Sequence, residues 1–350
     1  MRRNVLRTSA ILSIALICAG LLSGCGEEKT SYTQVAMESM AALDYATAAE
    51  DFELAINNGE DERLILRGQG MLQMEALQYE AAIETFKQAL ALSDGVPEAL
   101  DYDINYYLAS AYYKNGNYDE AVQIYDAILT LKPNEAMAYY LRGAVTLEMG
   151  DFDKATTDFK RAMSLSSSNY DLVFDIYQLM AAQGYREAGR DLLDGVIASQ
   201  TSISDYDMGR FQYYLGNYES ARDYLEQAEK GEAAQITLFL GRTYEALGDY
   251  NYAISLYNTY LDKDHDEPQI YNQMGLCQMK MERYSEALAS FQAAMNLEDS
   301  SIIQTLKFNE IVAYEYMQDF STASILMKDY LKTYPDDYAA VREYEFLKTR

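Results

Sequence analysis

Two periods are nested in this chain. Over short stretches apolar residues return every three or four positions, the spacing of one face of an α-helix. Over longer stretches the whole pattern recurs. Gly116-Asn117-Tyr118-Asp119-Glu120-Ala121, Gly150-Asp151-Phe152-Asp153-Lys154-Ala155, Gly216-Asn217-Tyr218-Glu219-Ser220-Ala221 and Gly248-Asp249-Tyr250-Asn251-Tyr252-Ala253 share one frame. Extending that frame gives nine units starting near residues 29, 63, 102, 136, 170, 202, 234, 268 and 304, with 34 the commonest interval. Each unit carries an aromatic residue and, three positions on, an alanine: Tyr45/Ala48, Tyr79/Ala82, Tyr118/Ala121, Phe152/Ala155, Tyr185/Ala188, Tyr218/Ala221, Tyr250/Ala253, Tyr284/Ala287 and Phe320/Ala323.

The spacing predicts the physics of one unit. Four residues after the fixed alanine stands a bulky residue, such as Phe52, Phe86, Phe159, Leu192 or Phe291; three further on is a mostly small one, such as Ala55, Ala89, Ala162, Gly195 or Ala294. Alanine, bulky and small at i, i+4 and i+7 form one helix face. A preceding helix answers it with small residues, among them Ala36, Gly70, Ala109, Gly143, Gly209, Gly241 and Gly275, across a Gly/Asn/Asp turn. One such hairpin cannot cover its own apolar face, so neighbours must stack. The expected organisation is an array over residues 32–335 and a polar-faced capping helix over 336–350. Pro97-Glu98-Ala99-Leu100-Asp101 is an insertion that predicts a lengthened first helix, with the proline in its first turn, running to about Lys114.

This pattern resembles the tetratricopeptide repeat (TPR) family. Its succession of an aromatic, Leu-Gly, Tyr, Ala, Phe and Ala is met by Tyr139, Gly143, Ala155, Phe159 and Ala162. It is met again by Tyr271, Met274, Gly275, Ala287, Phe291 and Ala294, and by Leu240, Gly241, Tyr244 and Ala253. The fifth unit departs most, with Tyr177 where a small residue belongs. The resemblance implies an all-α, right-handed superhelical solenoid of about nine hairpins whose concave wall is made by the first helices.

Composition then narrows the function classes. The chain holds 28 Lys+Arg against 55 Asp+Glu, a net charge of -27, with one His and no Trp. Nucleic-acid affinity comes from clustered cations, so no nucleic-acid partner is expected. One His and three Cys leave little material for a metal centre or a nucleophile–base pair. No catalytic residue, metal site or cofactor is predicted, nor a small-molecule ligand. Glu60-Asp61-Glu62 and Lys263-Asp264-His265-Asp266-Glu267 read as solvated loops with helix-capping acids.

The amino terminus reads as an address. Arg2, Arg3 and Arg7 precede an apolar stretch from Thr8 to Leu22, too short to span a bilayer comfortably. It ends in Leu22-Ser23-Gly24-Cys25, which resembles the lipobox of bacterial lipoproteins. That resemblance implies a signal peptide over residues 1–24, lipid on Cys25, a short tether over 25–31, and display on the outer face of the plasma membrane or at the outer membrane. Cleavage removes Arg2, Arg3 and Arg7 and no acid, taking the charge from -27 to -30. Cys277 is then left without a disulfide partner, as an inert core thiol.

TPR proteins usually hold ligands on inward-facing first-helix positions. By frame, these include Tyr106, Tyr113, Lys114, Tyr140, Phe174, Tyr206, Arg210, Tyr213, Tyr214 and Arg242. Tyr and Arg are enriched in binding hot spots, so they are the candidate groove for a peptide or partner helix. The same tyrosines could instead fill packing between repeats. Chaperone-adaptor TPRs clamp a terminal carboxylate with Lys at such positions; the fifth positions here, Tyr106, Tyr140, Phe174 and Tyr206, do not match. The leading expectation is a lipid-anchored scaffold for envelope assembly or complex formation through protein partners. The alternatives are a glycan- or peptidoglycan-binding lipoprotein, against which the absence of Trp counts, and an enzyme.

Overall fold

The computed structural model describes residues 31–228, 233–297, 302–335 and 337–350. The proposed signal peptide, Cys25 and nearly all of the tether lie outside them. The described residues form nineteen α-helices and no strand. They pair as α1 (Tyr32–Ala41) with α2 (Tyr45–Asn58), α3 (Glu62–Glu75) with α4 (Tyr79–Ala91), α5 (Ala99–Lys114) with α6 (Tyr118–Leu131), α7 (Ala136–Glu148) with α8 (Phe152–Leu165), and α9 (Tyr170–Ala182) with α10 (Arg186–Ser199). Then follow α11 (Asp205–Leu215) with α12 (Tyr218–Gln227), α13 (Ala233–Ala246) with α14 (Tyr250–Leu261), α15 (Pro268–Lys280) with α16 (Tyr284–Met295), α17 (Ile303–Tyr316) with α18 (Phe320–Thr333), and a last helix, α19 (Tyr338–Leu347). The chain divides into two compact units at residues 192/193, called here the N-terminal and C-terminal units.

The close approach inside most hairpins follows from a small residue on the first helix. A Cβ added to Gly143 would stand 2.7 Å from Phe159 Cε1, and one on Gly209 would stand 2.5 Å from Leu225 Cγ. Gly70 against Phe86, Gly241 against Tyr257 and Gly275 against Phe291 repeat the fit. Ala155, Phe159 and Ala162 are wholly buried, as the i, i+4, i+7 reading requires. Gly68 serves a different contact, receiving Phe52 of the preceding hairpin. The two glycines of Gly68-Gln69-Gly70 thus pack against successive units.

In the fifth hairpin the register moves by one residue. Tyr177 brings a ring where most first helices have a small residue; counted from the turn glycine Gly184, the small place of α10 falls on Gly189 rather than Ala188, and Gly189 passes beneath that ring with its added Cβ 3.0 Å from Tyr177 Cδ2. Leu193 rather than Leu192 is the fully buried residue, and Gly195 meets nothing within 4 Å. The helix begins at Arg186, leaving Tyr185 outside it to stack on Phe152 with ring centroids 4.5 Å apart. The expectation that Ala188, Leu192 and Gly195 form its packing face is therefore corrected: Ala188 and Leu192 lie only partly buried against the core, and Gly195 is outside the contact.

The turns also depart from the glycine rule. Gly116 takes φ +81°, a left-handed value that costs glycine nothing sterically, but Leu43, Leu77, Glu282 and Gln318 occupy the equivalent place at φ +60° to +63°. A side chain there costs about 1–2 kcal/mol, partly offset by glycine's larger entropy loss of about 0.5–1 kcal/mol. Gln318 is polar and exposed, so replacing it loses no apolar packing. Gln318→Gly should raise stability by about 0.5–1 kcal/mol in urea melts, whereas Gly116→Ala should lower it by a similar amount.

Loop acids act as caps. Asp61 accepts from the N–H groups of Arg63 and Leu64 at the start of α3. Glu60 reaches across to α1, accepting from the Tyr32 and Thr33 N–H groups and from the Ser31 and Thr33 hydroxyls. Its small burial pushes the carboxyl up, but these four bonds win and bring it to about 2. The inserted stretch lengthens α5 to sixteen residues, though Pro97 precedes the cap: Glu98 is the N-cap and shares a capping box with Asp101. At the other end Asp337 caps α19 and accepts from Tyr330 Oη of α18 at 2.6 Å.

Candidate binding face on the first helices

The ten candidate wall residues fall into two groups, one in each unit. In the N-terminal unit only part of the group is available to a ligand. Tyr140 is 5 % exposed and packs on Phe159 at 6.3 Å, and Phe174 is 1 % exposed. Both are core side chains; the helix packing that buries them leaves no area for a partner, which corrects their assignment to the groove. Tyr106 lies beside Tyr125 at 6.2 Å, with a buried hydroxyl that has no hydrogen-bond partner among the described residues. Tyr113 packs on Tyr118 at 5.6 Å, and Lys114 is exposed in the last turn of α5. Burial raises the hydroxyl pKa of Tyr106, Tyr113 and Tyr140.

The C-terminal unit brings its five candidates together around a residue the frame did not single out. Phe239 of α13 has Tyr206, Tyr213 and Tyr214 of α11 at 6.2, 5.8 and 6.0 Å, all edge-on. The Arg210 guanidinium lies 5.2 Å from the Phe239 ring and 5.1 Å from that of Tyr206; Arg242 lies 5.7 Å from Phe239. All six side chains keep some exposed surface. Edge-to-face rings and cations over ring faces are both attractive geometries. Phe239 sits one position after the fifth of its unit, inside the apolar run Leu238-Phe239-Leu240, so its spacing does not distinguish it from core.

A polar arm extends the nest towards α15. Arg242 Nε donates to Gln273 Oε1 at 3.3 Å, and Gln273 Nε2 donates to Glu245 Oε1 at 3.0 Å. Tyr257 Oη donates to the same carboxylate oxygen at 2.8 Å. Burial, only partly opposed by the Arg242 charge, pushes the Tyr213 hydroxyl up to about 12, so it stays a neutral donor. Cys277 is fully buried, and burial raises its thiol well above the usual range. Among the described residues no group of three His, Cys, Asp or Glu is placed to hold a metal ion, and no helix is long and apolar enough to cross a membrane.

The tetratricopeptide-repeat profiles match residues 67–136, 106–170, 206–268 and 268–300, together more than half of the chain. The chain belongs to the tetratricopeptide repeat family. Among its relatives, the Caenorhabditis elegans BBSome complex member bbs-4 is 24 % identical over 235 residues, covering 63 % of this chain and 49 % of that protein. The chain thus spans about half the length of that relative. A TPR protein from Parabacteroides merdae is 14 % identical, covering 72 % of this chain and 98 % of its own, with a TM-score of 0.44. A human IFIT1 dimer with PPP-AAAA is 14 % identical, covering 92 % and 87 %, with a TM-score of 0.41. TPR hairpins are a protein-binding scaffold, and the helical array here is of that kind.

Proposed function

We propose that this TPR protein is a lipid-anchored, extracytoplasmic scaffold that captures peptide segments or partner helices on its first-helix face, in envelope assembly or complex formation. The observation that carries the binding reading is the nest of Tyr206, Arg210, Tyr213, Tyr214 and Arg242 around Phe239. Partly exposed aromatic rings beside guanidinium groups offer wide contact area at low entropic cost, the composition of binding hot spots. The anchoring reading rests on Arg2, Arg3 and Arg7, the apolar stretch after them and Leu22-Ser23-Gly24-Cys25.

Phe239→Ala and Tyr213→Ala should each weaken partner capture by about 1–2 kcal/mol, the range for interface aromatics. Tyr140→Ala should instead lower the melting temperature and leave residual affinity intact. Quantitative pull-downs from envelope extract, paired with thermal melts, check both. Nest variants that melt earlier yet capture partners normally would place the binding face elsewhere. Cys25→Ser should abolish palmitate labelling and leave the signal peptide uncleaved, so that the protein runs larger on a denaturing gel; unchanged labelling would overturn the anchor.

A further inference from the structure

We propose that the nest around Phe239 selects its partner segment by one carboxylate, an Asp or Glu side chain set between bulky apolar residues and seated on Arg242 and Tyr213. This rests on reading the nest as the binding face, and adds which chemistry that face accepts. Every other half-buried arginine among the described residues is paired with an acid: Arg63, Arg67, Arg142, Arg190, Arg210, Arg222 and Arg283. Arg242 is half-buried too, yet has no ion pair among them. Only its Nε is engaged, donating to Gln273 Oε1, and neither Nη has a partner among the described residues. The chain has 55 acids to 28 bases, so this guanidinium edge is open in a protein where carboxylates are plentiful.

The guanidinium is held in place before any ligand arrives. Gln273 is 5 % exposed and is fixed by Glu245, whose two oxygens accept from its Nε2 at 3.0 and 3.1 Å. Tyr257 Oη donates to the same carboxylate at 2.8 Å. With Nε tied to Gln273, the two Nη groups form the edge left for a ligand, and their fork matches the two oxygens of a carboxylate. Tyr213 adds a third donor. Its hydroxyl is neutral, lies within the field of the Arg242 charge and makes no hydrogen bond among the described residues. A site ordered in advance in this way loses little freedom on binding.

Net charge does not decide the partner here, because Arg210 and Arg242 stand against Asp207 and Glu245. The decision lies in which polar atoms remain open. Both acids are engaged: Asp207 accepts from Arg210 Nη1 at 3.3 Å and from Ser204 Oγ at 2.7 Å, and Glu245 holds Gln273 and Tyr257. A lysine therefore meets two arginines and no open carboxylate, whereas a carboxylate meets three open donors. Three donors suit one carboxylate; a dianionic phosphoryl group would stay partly uncompensated in a chain of net charge -27. Rings on both α11 and α13 offer apolar surface to the side chains before and after the acid, which favours an acid within a segment over a chain end.

The test uses the full chain and end-blocked fluorescent peptides SGFEFGS, SGFQFGS and SGFKFGS, with SGFQF carrying a free carboxyl end as a fourth. Anisotropy is read in about 0.15 M salt, where a Debye length of about 8 Å screens the overall charge of the chain. SGFEFGS should bind, SGFQFGS and the free-ended SGFQF about tenfold more weakly, and SGFKFGS more weakly still. Arg242→Gln should weaken SGFEFGS about tenfold and leave SGFQFGS unchanged, and Arg242→Lys should restore part of the loss. Tyr213→Phe keeps the ring and should weaken SGFEFGS about threefold, while Phe239→Ala should weaken both peptides alike. Thermal melts check that each variant is folded. Equal binding of SGFEFGS and SGFQFGS, with both weakened by Phe239→Ala, would overturn the carboxylate selection and leave the nest standing as the binding face. Full-strength binding of SGFEFGS by Arg242→Gln, or of the free-ended SGFQF by the wild type, would overturn it as well. If no peptide binds, or Phe239→Ala changes nothing, the nest is not the binding face and the proposal falls with it.

Discussion

Phe159→Ala should destabilise the N-terminal unit by about 3–5 kcal/mol, the range for truncating a fully buried phenylalanine. Phe159 has no exposed surface, lies over Gly143, and packs at a tilt against Tyr140. Nothing nearby can fill the space: Ala155 and Ala162 flank it on α8, and Gly143 has no side chain. The deficit includes both the lost transfer energy and the cavity left behind. Since each hairpin touches mainly its neighbours, the loss should concentrate there. Hydrogen exchange should rise in α7, α8 and the helices beside them before it rises in α1 or α19. Uniform acceleration across the whole chain would show that the array opens as one cooperative body.

The second large effect concerns charge. Asp158→Ala should cost about 3 kcal/mol, the lower end of the range for breaking a buried pair. The Asp158 side chain is 4 % exposed and accepts from Arg142 Nε at 2.8 Å and Nη2 at 2.6 Å; the third partner, Asp126, bonds Nη1 at 2.5 Å but is half exposed. Removing Asp158 leaves most of a guanidinium in a poorly solvated site, and Asp126 is too wet to compensate fully. The opposing acids raise the Arg142 pKa despite the cost of burial, so the group cannot shed its charge. Arg142→Met combined with Asp158→Leu should recover most of the loss, because apolar groups of similar volume need no partner. A double-mutant cycle in urea checks this. Equal losses for the double variant and for Asp158→Ala alone would mean that the damage comes from packing.

The repeat was legible because its cause is local. A small residue on one helix and a bulky one on the next must meet wherever two helices approach closely, so Gly143/Phe159, Gly209/Leu225 and Gly275/Phe291 carry the same spacing. Fourier-like regularity of that kind survives in one dimension. The acids between units were legible for the same reason, since a cap such as Asp61 serves the N–H groups just after it.

The fifth hairpin was legible only from its turn. Gly184 takes the left-handed place of Gly150, and counting five and nine residues on from it, as in the neighbouring units, gives Gly189 and Leu193, whereas the aromatic Tyr185 stands one residue early and misleads a frame anchored on it. The wall residues were settled by contacts across distance. Tyr106, Tyr140 and Tyr206 hold one frame position, yet Tyr140 is sealed against Phe159 whereas Tyr206 stays partly open beside Phe239. Frame position determines which way a side chain leaves its helix. How much of it remains in water depends on the size of the residues opposite, which only the packed helices bring together. The sequence by itself therefore determined the hairpins, their pairing and the acidic character of the protein; tertiary packing decided that Phe239 gathers the aromatic nest and that Tyr140 and Phe174 are sealed into the core.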